Sequence, residues 1–159
     1  YATSIRGACH MQAWPIALEA MGDLDPFTSE GKGQLVADMQ DGNAVKFSAI
    51  FCDFWDVSTE TQAKVLNLVM QKEYTELHLL KIGERIVQLG RLFNQREGFD
   101  REDDTLPKRI FKDPVISGPA KGKTLPQVEF EKMLTDYYKV RGWNDQGKIP
   151  EQKIKELDL

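Results

Sequence analysis

Cysteine and histidine are scarce in this chain of 159 residues, with two of each. Cys9, His10, Cys52 and His78 are its whole supply of thiolate and imidazole ligands. No Cys-x-x-Cys spacing joins them, so a metal centre built entirely within the chain has a weak basis. Two widely separated thiols in a sequence without a signal peptide also exclude a disulfide scaffold and point to reduced cysteines in the cytoplasm. No apolar run approaches the roughly 20 residues that a bilayer core requires, which excludes a membrane-spanning helix. Clustered basic residues are missing too. A net charge of −4 and a pI near 5.3 offer no electrostatic footprint for nucleic acid. An initiating methionine is also lacking: the chain opens Tyr1-Ala-Thr-Ser, which reads as a piece of a longer polypeptide.

Strand patterning is equally absent, because no run of four to eight residues alternates with period two. The apolar spacing is helical, and the predicted class is all-α and multihelical. With 41% hydrophobic residues, positions 1–159 suit one helical domain. A first helix is expected over about Met11 to Met21, with Pro15 near its start and Gly22 ending it. Thr28 or Ser29 is the expected cap of a second helix carrying Leu35, Val36 and Met39. Asp41-Gly42-Asn43 should weaken that helix before Val45–Phe51 resumes. Thr59 and Gln62 have capping-box spacing ahead of Val65, Leu66 and Val69, with a stop near Lys72. The clearest element runs from about Thr75 to Gln95, where Leu79, Ile82, Ile86, Leu89 and Phe93 recur every three or four residues as a predicted core stripe. Gly83 and Gly90 each cost that helix roughly 1 kcal/mol against alanine, so close helix contact is the expected reason for them. Positions 99–122 read as a long exposed loop. Thr124 and Gln127 form a second capping-box pattern for a helix whose apolar face is Val128, Phe130, Met133, Leu134 and Tyr137, ended by Gly142. Pro150 opens a short last helix.

Few residues offer chemistry. Cys9-His10 follows Arg6-Gly7 just before a helix, which fits either a cleft-facing loop or a capped loop with a buried thiol. His78 reads as a structural histidine on the long helix. Cys52 ends an apolar run, where a free cysteine is ordinarily a small core residue. Asp103-Asp104 reads as part of a solvated, charged loop.

Four ordered segments nevertheless resemble one family. Tyr1-Ala-Thr-Ser-Ile-Arg-Gly-Ala-Cys-His10 is similar to YATSxRGxCH. Thr28-Ser-Glu-Gly-Lys32 is similar to TxEGK. Arg91-Leu-Phe-Asn-Gln-Arg-Glu-Gly98 with Asp103-Asp-Thr-Leu-Pro107 resembles RLFNxREGFxRxDDxLP. Tyr137-Tyr138 with Arg141-Gly-Trp143 resembles YYxxRGW. These segments belong to the tungsten-containing aldehyde:ferredoxin oxidoreductases, and the resemblance is to their helical domains 2 and 3. It implies the C-terminal part of an enzyme that oxidises an aldehyde to a carboxylic acid at a tungsten or molybdenum bis-pyranopterin. Electrons would leave through a [4Fe–4S] cluster to ferredoxin. The implied catalytic residue is His10, the implied cofactor-binding residues are Arg6 and Phe51, and Cys52 is the implied cluster ligand.

Where the family carries DxxGLC, this chain reads Phe47-Ser-Ala-Ile-Phe-Cys52. Phe47 replaces the aspartate that would bond a pterin edge, and Ile50 replaces a glycine that permits close backbone approach. The other cluster ligands, a CxxCxxxC set, lie outside these residues. The isolated chain is therefore expected to hold neither cofactor and to need an N-terminal domain of the same enzyme as its partner. An open apolar groove, with self-association through it, is expected in that domain's place. The alternative is a cofactor-less helical interaction subunit derived from the family. His10 and Cys52 are expected to flank one cleft.

Overall fold

The computed structural model describes residues 1–159 and contains seven α-helices and no strand. A 3-10 turn, His10–Gln12, precedes α1 (Pro15–Met21); α2 (Lys32–Ser48), α3 (Thr59–Met70) and α4 (Glu76–Arg96) follow. The second half holds α5 (Lys108–Lys112), α6 (Gln127–Arg141) and α7 (Glu151–Leu157). None of them is long and apolar enough to cross a membrane. The expected all-α class is thus what the chain adopts.

Several helix ends differ from expectation for local reasons. The first helix starts at Pro15, because residues 10–12 close as a separate 3-10 turn. Gly31, in the left-handed region, precedes α2, while the Ser29 hydroxyl bonds the Glu129 carboxylate instead of capping. Asp41-Gly42-Asn43 does not interrupt α2, whose 17 residues run through it because tertiary packing outweighs weak propensity. Ser58, not Thr59, caps α3 by accepting from the Thr61 amide. Thr75 caps α4 in a box completed by His78, whose Nδ1 accepts from the Thr75 amide, which confirms a structural role for that histidine. No side chain caps α6, so Thr124 and Gln127 make no box. The segment expected to be an unbroken loop contains α5.

The core is organised around α2, which lies between α4 and α6. Ala37, Phe130, Leu134, Tyr137, Tyr138, Trp143 and Ile149 form its larger apolar cluster; Val45, Ala63 and Leu79 form the smaller. Glycine lets the backbones meet on both sides. A methyl group on Gly33 would lie 2.6 Å from the Tyr137 amide nitrogen, and one on Gly83 would lie 2.1 Å from the Asp41 carbonyl oxygen. Gly83 therefore has the role expected of it, whereas Gly90 makes room for the Ile5 side chain and not for a helix.

Two buried guanidinium groups organise the polar interior. Arg91 donates to both oxygens of Asp104 at 2.8 and 2.7 Å and to the Gly147 carbonyl at 3.0 Å. Tyr138 donates its hydroxyl to the same carboxylate; burial and that carboxylate hold the phenol above its ordinary range. Arg141 donates to Asp41 at 2.6 Å, to Gln40 at 2.9 Å and to the Ala37 carbonyl at 3.1 Å. Asp104 is thus buried at 5% exposure and not part of a solvated loop. A bidentate arginine partner explains how a carboxylate from a charged run can sit inside.

These polar groups also turn α4 away from its predicted orientation. Leu79 is buried, but Leu89 and Phe93 are 58% and 56% exposed. The inward face is instead Leu79, Gly83, Val87, Gln88 and Arg91, because Gln88 and Arg91 occupy core positions that an apolar stripe would not assign to them. On α3, Leu66 packs inward whereas Val65 and Val69 are exposed; on α6, Val128 is exposed while Phe130, Leu134 and Tyr137 are buried.

Gly83→Ala should destabilise the chain by about 2 kcal/mol or more despite improved helix propensity, since a backbone carbonyl blocks the methyl group. Gly42→Ala, in the same helix pair but with open space around it, should stabilise by up to about 1 kcal/mol. Urea denaturation of both variants tests this opposition of sign.

Candidate functional site

Residues 1–14 form no α-helix and lie across α2 and α4, held by side-chain amides. Asn43 donates to the Met11 carbonyl at 2.9 Å, Asn94 to the Ile5 carbonyl at 2.9 Å and Gln40 to the Thr3 carbonyl at 3.4 Å. Gln12 accepts from the Ile5 amide and the Ser4 hydroxyl at 2.9 and 2.7 Å. The polar inward side leaves Arg6, Gly7, Ala8 and His10 exposed on the other. Gly7 and Ala8 both have positive φ, 74° and 23°, which tightens the turn and brings Arg6 back onto Cys9. The guanidinium donates twice to the Cys9 sulfur, at 3.2 and 3.0 Å. Desolvation pushes that thiol upward, but the Arg6 hydrogen bonds and charge, with the Met11 and Gln12 amides, outweigh it and hold it below the ordinary thiol value.

The C-terminus of α2 supplies the second half. Phe51 donates its amide to the Lys46 carbonyl at 3.0 Å and Ile50 to Phe47 at 3.1 Å, the pairing of a Schellman motif. Its left-handed position, where glycine is usual, is held by Ile50 at φ 61°. A β-branched residue there is strained by roughly 1–3 kcal/mol. The physical value of glycine at this position is thus its left-handed backbone, which the sequence reading attributed to close approach. Ile50 is 90% exposed, Phe51 is half-buried and Cys52 is exposed, not a core thiol.

Trp14 joins the halves. Its ring meets the His10 imidazole edge-on at 5.5 Å, and its indole N–H donates to Asp53 at 2.8 Å. Lys46, projecting from α2, donates to the Asp53 and Trp55 carbonyls at 3.2 and 3.0 Å and stands 3.8 Å from the Asp53 carboxylate. His10 and the turn bearing Cys52 are therefore linked through Trp14 and Asp53, with Arg6 and Cys9 on the His10 side. Trp14, Lys46 and Asp53 carried no local signal in the sequence; only folding makes them neighbours.

The sequence profile described as "Aldehyde ferredoxin oxidoreductase, domains 2 & 3" matches residues 1–159. The chain belongs to the aldehyde ferredoxin oxidoreductase family. Tungsten-containing aldehyde ferredoxin oxidoreductases of Pyrococcus furiosus and Pyrococcus horikoshii are each 40% identical to it over 166 residues, covering 100% of this chain and 27% of the relative. The "Aliphatic sulfonate oxidoreductase, WOR-like subunit" of Pyrococcus furiosus is 31% identical over 168 residues, covering 24% of that protein. The chain thus spans about a quarter of the length of the curated relatives it matches.

The donor set within the family member decides what it can hold. No group of three or more His, Cys, Asp or Glu side chains converges on a metal-sized space. Cys52 offers one exposed thiol on a clamped turn, where an iron–sulfur cluster would take four ligands, ordinarily cysteine thiolates. The pterin side fits less well, since Phe47 has no acceptor to offer a pterin nitrogen.

Ile50→Gly should stabilise the chain by about 1 kcal/mol or more by relieving the left-handed strain, measured by chemical denaturation. In a Cys52→Ser background, the iodoacetamide reactivity of Cys9 should rise with pH around a midpoint below that of an ordinary thiol. Arg6→Gln should move that midpoint upward.

Proposed function

We propose that this chain is the C-terminal part of a tungsten or molybdenum bis-pterin oxidoreductase that converts aldehydes to carboxylic acids. The reading rests on the meeting of His10 and the Cys52 turn through Trp14 in a member of this family. When bound, the bis-pterin would supply two-electron oxidation of the aldehyde, and a [4Fe–4S] cluster would pass electrons singly to ferredoxin.

The chain's own residues serve that chemistry in distinct ways. His10 is exposed and carries the one imidazole of the site. Its ring nitrogens hold and release the proton exchanged as water adds to the carbonyl carbon, a task suited to imidazole, which offers one nitrogen that donates and one that accepts. Arg6 provides positive charge beside it for the cofactor's anionic groups, while its fork on Cys9 fixes the turn. Phe51 packs the cofactor side of the α2 terminus, and Cys52 presents its thiolate to iron from the adjoining turn. The remaining ligands and most of the pterin contacts come from an N-terminal domain of the same polypeptide. That domain covers the apolar groups left outside, including Ile50, Phe54 and Trp55, which are 90%, 80% and 64% exposed. Without it, the same surface favours self-association.

The test uses the full-length protein. Cys52→Ser should lose the reducible cluster signal in electron paramagnetic resonance, with iron content falling. His10→Gln should keep the cluster and lose aldehyde oxidation by about 100-fold or more, the scale of a general acid–base group. A Cys52→Ser enzyme with an intact cluster would overturn the ligand assignment. Full aldehyde oxidation by His10→Gln would overturn the proton role, and absence of both cofactors from the wild type would favour a structural subunit.

A further inference from the structure

Two ends of the proposed chemistry share one side chain. His10 stands at the proton-handling end and Cys52 at the electron-handling end, and neither residue contacts the other's segment except by way of Trp14 in the interactions described. The indole sits between the 3-10 turn and α1, with its backbone fixed by Pro15 immediately after it and by the Ala17 amide, which donates to the Trp14 carbonyl at 3.0 Å. One side of the ring system meets His10 at an interplanar angle of 83°, and Phe54 meets it at 68° and 6.1 Å. The N–H has a single acceptor, Asp53, whose side chain is only 7% exposed.

That acceptor adjoins Cys52 in sequence. A nearly buried carboxylate makes the potential at neighbouring groups more negative unless hydrogen bonds and opposite charge offset it. Here the Trp14 indole supplies the hydrogen bond and the ammonium of Lys46 the charge, the latter at 3.8 Å and itself 13% exposed. The Trp14 bond is the closer of the two. It also keeps the 52–55 turn, which closes on itself through the Trp55 amide and the Cys52 carbonyl at 3.1 Å, against the His10 segment.

We propose that Trp14 is a positioning residue that couples the two ends of the site, holding the His10 imidazole with its ring while its N–H holds the carboxylate beside Cys52 and stabilises its charge. This rests on the roles given to His10 and Cys52 above. The contact itself is independent of those roles, which makes the two separately testable.

The test has two parts. In the 159-residue chain, the Trp14 indole N–H should give a downfield, slowly exchanging nitrogen-15 NMR cross-peak. It should shift in His10→Gln, which removes the imidazole against the ring, and lose its exchange protection in Asp53→Ala, which removes the acceptor that Asp53→Asn would keep. Trp55, which is 64% exposed, supplies the unprotected reference. In the full-length holoenzyme, Trp14→Phe keeps a ring against His10 but removes the donor, so the cluster potential should move to a more negative value. Trp14→Ala, which removes the ring as well, should also move the rate–pH profile, and Asp53→Asn should shift the potential in the opposite sense. A purely structural tryptophan would lower the melting temperature and leave potential and pH profile of the folded enzyme unchanged, which would overturn the proposal. A Trp14 cross-peak indifferent to both His10 and Asp53 would also overturn it. Aldehyde oxidation surviving in His10→Gln would instead remove the proton role of His10, with the indole response still deciding whether the coupling exists.

Discussion

Arg141 is 2% exposed, and a guanidinium cannot remain there without partners. Its donors reach Asp41, Gln40 and the Ala37 carbonyl on α2 and the Tyr137 hydroxyl one turn back on α6. This satisfies the charge only if α6 lies close along α2 at one register. Gly33 allows that closeness by admitting the Tyr137 backbone, and Tyr137 completes the arrangement by donating to Gln40 at 2.5 Å. The Arg91–Asp104 pair acts likewise between α4 and the following loop, with the Trp143 ring 4.7 Å from the guanidinium carbon. Losing one partner of such a pair typically costs about 3–5 kcal/mol, because the other charge is left buried and unpaired.

The site depends on that frame indirectly. Residues 1–14 have no regular secondary structure apart from one 3-10 turn, so their backbone polar groups need other partners. The amides of Asn43, Gln40 and Asn94 provide them from α2 and α4. Because both helices are locked to each other at Gly83, the three amides arrive at fixed spacing, and the segment that carries Arg6, Cys9 and His10 is laid down in one path. The Cys52 turn starts from the same helix, at the end of α2. One helix pair therefore sets the positions of both halves, and Trp14 with Lys46 closes the remaining gap.

A division of labour among the family-like segments follows from these contacts. Arg91, Asp104, Tyr137, Tyr138, Arg141 and Trp143 come from the most recognisable stretches, yet all are buried and engage one another or the backbone. They form the scaffold. In the segment that opens the chain, Arg6 and His10 face outward. The unusual element is the α2 terminus, where Ile50 adopts the conformation a glycine would take without cost. The strain sits beside an exposed cysteine, on an isoleucine that is itself 90% exposed.

Helical periodicity determined the all-α class, most of the element order, and the ends signalled by Gly22, Gly142 and Pro150, because these depend on backbone preferences that act within a few residues. Ordered motifs likewise identified His10 and Cys52 as the positions to watch. The sequence did not determine which face of α4 is inward, and it placed Asp104 in solvent, because a polar residue enters a core only when a distant partner pays its desolvation cost. Arg91 lies 13 positions from Asp104, and Asp41 lies 100 from Arg141. Nor did local pattern reveal Trp14, Lys46 and Asp53, whose roles exist only where α2 ends against the first turn of the chain. Pairing of buried charge and hydrogen-bond donors across long separations is set by tertiary structure alone, and it is this pairing that assembled the site.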